Sequence, residues 1–174
     1  MVLMAWIAGL LVAAVAIWAI IIYNRLVRDR TRVLSAWSDI DVQLKRRHDL
    51  IPKLVDAVRQ YAAYEQATLT TVTELRAEAA RTGDVAQLAA TEAKINVGLQ
   101  RLIALAERYP DLKADRNFLD LQQQISVVED HIQYARRYYN GAVRNLNTRI
   151  DSFPDNLVAR GFRFHSADYF DPET

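Results

Sequence analysis

Met1-Val-Leu-Met-Ala-Trp-Ile-Ala-Gly-Leu-Leu-Val-Ala-Ala-Val-Ala-Ile-Trp-Ala-Ile-Ile-Ile-Tyr-Asn24 contains no charged side chain, and the next eight residues, Arg25-Leu-Val-Arg-Asp-Arg-Thr-Arg32, contain four arginines. An α-helix rises about 1.5 Å per residue, so Val2 to Ile22 spans roughly 31 Å, the hydrocarbon thickness of a bilayer. A cleavable signal peptide would carry its basic residues before a shorter apolar core. Here they follow it. Residues 1–24 therefore read as an uncleaved transmembrane anchor, and the arginine flank places residues 25–174 in the cytoplasm with the N-terminus outside. Trp6 near one end, and Trp18 and Tyr23 near the other, suit the two interfaces, where amphipathic rings are favoured. Arg25, Arg28, Arg30 and Arg32 are the candidate membrane-surface residues, each worth on the order of 1 kcal/mol beside anionic lipid.

Beyond the anchor the apolar residues fall into 3-4 spacing. Leu26, Val33, Trp37, Ile40, Leu44, Ile51, Leu54, Val58, Tyr61, Val72, Leu75 and Ala79 hold one register, interrupted by Arg30, Arg47, Glu65 and Thr68. Such a seam must face another helix. Pro52 predicts a kink or a restart, with Asp49 as a possible cap. Thr82-Gly83-Asp84 stops that pattern and caps the next, which runs from Leu88 to Tyr109 and ends at Pro110. A third register, Leu121, Ile125, Val128, Ile132, Ala135, Tyr139, Ala142, Leu146 and Phe153, starts at Phe118 and closes at Pro154. It predicts a helix of roughly 35 to 38 residues. The tail from Asp155 carries Phe162, Phe164, Tyr169 and Phe170, enough aromatic surface to pack back as a short helix and loop.

No period-2 run is long enough for a strand. The fold class is all-α, an N-terminal transmembrane helix followed by an elongated antiparallel bundle of three to four long helices, with a short aromatic C-terminal tail. The first of these helices, if continuous to Ala80, far outruns the second. Leu26, Val33, Trp37, Ile40 and Leu44 then lack a partner within the chain and become the candidate oligomer interface. Ala5, Gly9 and Ala13, at four-residue spacing, are the candidate anchor-packing residues.

Chemistry-bearing patterns are sparse. The chain has no cysteine, and its five glycines are isolated, so thiol chemistry and glycine-rich phosphate loops are excluded. His48, His131 and His165 fall in different elements without metal-ligand spacing. Asp39 and Asp41, two apart on a helix, diverge and read as solvated charges, as do Glu129, Asp130 and His131. Lys45-Arg46-Arg47 reads as a cationic turn paired with Asp41 and Asp49. Residues 25–60 hold nine of the basic residues against five acidic ones, leaving 13 against 16 elsewhere, so the end nearest the membrane is the basic one. No catalytic residue, cofactor or metal is expected, and no nucleic acid as partner.

Two blocks carry a family resemblance. Tyr23-Asn-Arg-Leu-Val-Arg-Asp-Arg-Thr-Arg-Val33, running into Ala36-Trp-Ser-Asp-Ile-Asp-Val-Gln-Leu-Lys-Arg-Arg-His-Asp-Leu-Ile-Pro52, closely resembles the LemA family. So do Tyr109-Pro-Asp-Leu-Lys113, Asn117-Phe-Leu119, Glu129, Arg136-Arg-Tyr-Tyr-Asn140, Asn147 and Ser152-Phe-Pro154. The resemblance covers about residues 23 to 170 and is thinnest over 81–100. It implies a bacterial membrane protein with one N-terminal anchor and a helical cytoplasmic domain, without an agreed activity. Relatives include proteins associated with magnetosome membrane formation. The expected function is a non-enzymatic, homo-oligomeric scaffold of the bacterial inner membrane whose partners are itself and membrane lipids. The alternative is a tethered adaptor that offers its seam to a different protein in envelope or stress signalling.

Overall fold

The structure, a computed structural model, describes residues 1–170. Its helices are α1 (Val2–Tyr61), α2 (Gln66–Ala79), α3 (Val85–Leu105), α4 (Pro110–Ala114), α5 (Arg116–Asp151) and α6 (Asp155–Gly161). No strand occurs among the described residues, and the all-α class holds. The described chain forms two compact units, Met1–Ala36 with Asn140–Ala167, and Trp37–Tyr139 with residues 168–170. α1 and α5 contribute to both.

α1 passes Pro52 without restarting, and Asp49 lies exposed inside it rather than capping it. A proline at position 52 removes the N–H that would bond the His48 carbonyl four residues back. Arg76 of α2 supplies the missing donor: its Nε bonds the His48 oxygen at 2.8 Å. The actual break falls at Ala62–Glu65, where the sequence has neither glycine nor proline. Its trace in the pattern is the pair of polar residues, Glu65 and Thr68, that interrupts the first seam. Tyr61, the last seam residue before the break, is partly exposed, and its hydroxyl donates to Asp115 at 3.1 Å.

The other boundaries follow capping chemistry. Asp84 accepts a hydrogen bond from the Gln87 N–H (2.8 Å) and starts α3; Asp115 accepts one from the Phe118 N–H (2.8 Å) and starts α5. α2 and α3 approach closely at Gly98, where a Cβ would come within 2.7 Å of Val72 Cγ2. At 36 residues, α5 has the predicted length. Its buried positions are Phe118, Leu121, Ile125, Val128, Ile132, Tyr139, Val143 and Leu146. Ala135 and Ala142 are only half-buried, and Phe153 lies outside the helix and is exposed.

The seam expected to lack a partner has one. Leu26, Val33, Ile40 and Leu44 are at most 6% exposed, so they are core of this chain and not an open interface. Trp37 is half-buried, its indole 5.4 Å from the Tyr139 ring and 5.8 Å from that of Phe170. The expectation failed because it weighed the first helix against the second. α5 supplies the cover within each unit: in the first, Arg149 and Ile150 meet α1 at Asp29 and at the cluster of Ile22 and Leu26. In the second unit it runs antiparallel to α1, pairing Trp37 with Tyr139 and Arg47 with Glu129. The tail assists through Phe170 and through the Asp168 carbonyl, which accepts from the Tyr139 hydroxyl at 2.8 Å. Of the aromatic tail, Asp171 to Thr174 lie outside the described residues.

Arg76→Met should therefore destabilise the protein by about 1–3 kcal/mol, the cost of an unsatisfied buried acceptor. Pro52→Ala restores the backbone N–H and should recover much of that loss. Melting temperatures of the two single variants and the double variant check this, and simple additivity would contradict it.

Candidate functional site

In the first unit the short helix α6 sits at the end of the apolar run. Its Val158 and Ala159 pack with Ile22 and Leu26, and Ala19, Ile150 and Phe164 surround the contact. α6 is thereby fixed at the level where the uncharged segment gives way to the arginines. Tyr23 lies between aromatic rings of the returning chain, 4.9 Å from Phe162 and 5.8 Å from Phe164. Phe153, Leu157 and Phe162 are more than half exposed at this end of the unit.

α6 ends in a Schellman turn. The Phe164 N–H bonds the Ala159 carbonyl (2.9 Å) and the Arg163 N–H bonds that of Arg160 (3.3 Å). The geometry requires a left-handed residue between them, and that residue is Arg163, at φ 55°. Glycine is the usual occupant; an arginine there costs about 1–2 kcal/mol. The short helix and loop expected after Asp155 are present as α6 and the chain that follows it, whereas the role of Arg163 was not anticipated. Gly161, two residues earlier, does not take the positive φ.

A charge set holds α6 in place. Asp29 of α1 is 5% exposed; Arg149 of α5 donates to it from Nε at 2.6 Å and reaches Asp155 of α6 from Nη1 at 3.1 Å. The hydrogen bond to Asp29 leads in holding the Arg149 guanidinium more firmly charged than usual. Of the candidate surface arginines, Arg32 reaches Asp29 at 3.5 Å, whereas Arg25, Arg28 and Arg30 are exposed and form no ion pair among the described residues. Ala5, Gly9 and Ala13 are exposed, and a Cβ on Gly9 would meet nothing within 4 Å.

The second unit contains a buried ionic cluster. Arg47, at 2% exposure, donates from Nη2 to Glu92 and from Nη1 to Glu129, the latter at 2.6 Å. His48 Nε2 lies 2.6 Å from the other Glu92 oxygen, and Gln133 donates to Glu129 at 3.0 Å. Burial pushes the Glu92 carboxyl up, but the His48 hydrogen bond and the Arg47 charge outweigh it and hold the group below the ordinary carboxylate value. All four carboxylate oxygens are engaged, so the cluster fastens α1 to α3 and α5. No group of three or more His, Cys, Asp or Glu placed for a metal occurs among the described residues.

The turn Lys45-Arg46-Arg47 is thus split. Lys45 pairs with Asp41 at 2.6 Å as expected, while Arg47 turns inward instead of pairing with Asp49. Glu129 is likewise a partner of Arg47 and not a solvated charge; Asp130 and His131 are exposed. The signal was present: Arg47 occupies a seam position between Leu44 and Ile51, and a charge there needs a buried counterion.

The LemA family matches residues 36–174. Protein LemA of Metamycoplasma hominis is 32% identical over 149 residues, 84% of this chain and 68% of that protein. Magnetosome protein MamQ 2 of Paramagnetospirillum magneticum is 24% identical over 174 residues, and MamQ of Magnetospirillum gryphiswaldense 22% over 174. The chain spans 64% of the length of each MamQ relative and 85% of itself is matched.

Removing the cation from the buried cluster should be severe: Arg47→Met is expected to cost about 3–5 kcal/mol. A carboxyl whose pKa is lowered by folding stabilises the fold above its unfolded value, near 4.3, and that contribution is lost as the pH falls through the lower folded value. Melting temperature should accordingly drop below about pH 4, and Glu92→Gln, already weakened at neutral pH, should show a smaller further drop.

Proposed function

The chain belongs to the LemA family, and on that premise we propose that it is a non-enzymatic scaffold of the bacterial inner membrane, anchored by the first part of α1 and assembled from several copies of itself. The apolar start of α1, long enough to cross a bilayer, supports the anchoring. The arginines after Asn24 support a cytoplasmic position for the helical units. The engaged carboxylates of the buried cluster support a role without catalysis.

The seam through Leu26, Val33, Trp37, Ile40 and Leu44 is core, so assembly needs another surface. One observation carries the proposal: Val127, Tyr134 and Tyr138 of α5 are exposed on one helical face, with the Arg137 guanidinium 4.7 Å from the Tyr134 ring centroid. Tyrosine and arginine are enriched where proteins meet, and a face of this kind on a helix whose other side is committed to the core suits contact with a second copy. Ala5, Gly9 and Ala13 would let anchors approach within the bilayer.

The full chain extracted in mild detergent should run as a particle of several copies. Tyr134→Ala with Tyr138→Ala should reduce it to one copy while leaving helicity intact, each aromatic contributing about 2 kcal/mol. A wild-type protein that is already a single copy would overturn the scaffold and favour the adaptor, which offers the same face to a different protein. A phosphatase fused after Thr174 should be inactive and a fluorescent reporter bright; the reverse would place the helical units outside.

A further inference from the structure

The first unit holds a cleft of about 390 Å³ between α1 and the segment following α6. Tyr23, Arg30 and Thr31 form one wall, Phe162 and Arg163 the other. Two arginines from distant parts of the chain thus line one space, and neither forms an ion pair among the described residues. Thr31 has its hydroxyl proton committed to the Val27 carbonyl at 2.9 Å, so the charged donors of the lining are the two arginines, with the Tyr23 hydroxyl as a neutral one. Two arginines in a lining that contains no carboxylate favour an anion, and a phosphate group matches the guanidinium fork.

The position of the cleft identifies the source of that phosphate. Tyr23 follows directly on the last apolar residue of the anchor, and Val158 and Ala159 hold α6 against Ile22 and Leu26. Side chains on a helix tilt toward its N-terminus, so Arg30 leans back toward the bilayer. Phe162 and Leu157 present exposed apolar surface at the same end of the unit. The local backbone is also set for the purpose. Arg163 stands in the left-handed position of the Schellman turn, where glycine would relieve the strain, and strain of this kind collects at binding sites.

We propose that this cleft binds the phosphate of an anionic phospholipid headgroup between Arg30 and Arg163, with Phe162 and Leu157 entering the acyl boundary. The proposal rests on reading residues 1–24 as a membrane anchor. It goes beyond an arginine flank that attracts lipid diffusely, because it requires a specific pair drawn from both ends of the chain.

The test uses the full chain in uncharged detergent, with phosphatidylglycerol, phosphatidylcholine and inorganic phosphate as separate additives and the melting midpoint as readout. A ligand that binds the folded state raises the midpoint saturably. Phosphatidylglycerol should do so, and phosphatidylcholine and inorganic phosphate at equal concentration should not. Arg30→Gln and Arg163→Gly should each weaken the apparent affinity roughly fivefold. Arg163→Gly should at the same time raise the lipid-free midpoint, because glycine takes the positive φ without strain; a residue with only a structural role would not separate the two effects. Equal response to phosphatidylcholine, an unaltered affinity in Arg163→Gly, or an equal loss in Arg28→Gln would overturn the site. Full reproduction by inorganic phosphate would overturn the lipid as its ligand. Retention in membranes after an alkaline wash reports separately on the anchor, so loss of the cleft and loss of the anchor are distinguishable.

Discussion

The second unit depends on the burial of a single guanidinium. Arg47 is almost wholly removed from water and bonds Glu92 of α3 and Glu129 of α5. Its neighbour His48 contacts Glu92 through its ring and α2, through Arg76, by its backbone carbonyl. Two consecutive residues of α1 therefore fasten three other helices. Apolar seams alone tolerate sliding by a turn, since one leucine replaces another at little cost. An ion pair taken out of water does not, because a shift of one turn would strand a charge without its counterion. The cluster sets the register in which the apolar residues pack, and they supply most of the free energy.

The first unit repeats the logic on a smaller scale. Arg149 joins Asp29 and Asp155, and so ties α1, α5 and α6 with one side chain. Asn147 adds a two-way hydrogen bond with the Ala167 backbone, at 3.0 and 2.9 Å, which holds the chain beyond α6 in place. A helix of seven residues would not persist in water by itself. These contacts, with Val158 and Ala159 against Ile22 and Leu26, are what keep α6 folded beside the apolar segment.

Periodicity made the long elements legible. The α5 seam and the caps Asp84 and Asp115 follow from residue type and spacing, with Asp115 identifiable only once the start of α5 is fixed. The end of α1 was not legible, because Ala62-Ala63-Tyr64-Glu65 has no intrinsic reason to break a helix and does so where α2 must turn back onto Val72 and Gly98. Pro52 misled in the opposite direction: its disruption is real, but the remedy comes from a side chain 24 positions away. The covering of Trp37 was hidden for a similar reason, since it is shared between Tyr139 and Phe170, residues no local pattern connects. The run of arginines after Asn24 was readable, whereas Arg163, which lines the same cleft as Arg30, stands in a backbone conformation that residue type argues against.

The bond from Arg76 to the His48 carbonyl has a thermodynamic corollary. Hydrogen bonding along α1 at Pro52 is complete only while α2 is docked. Bending freedom in α1 and attachment of α2 are thus two readings of one equilibrium. A molecule that grips the docked α2 stiffens α1, and a load that bends α1 loosens α2 by the same free energy. That reciprocity gives α1 the character of a lever with a strain gauge attached.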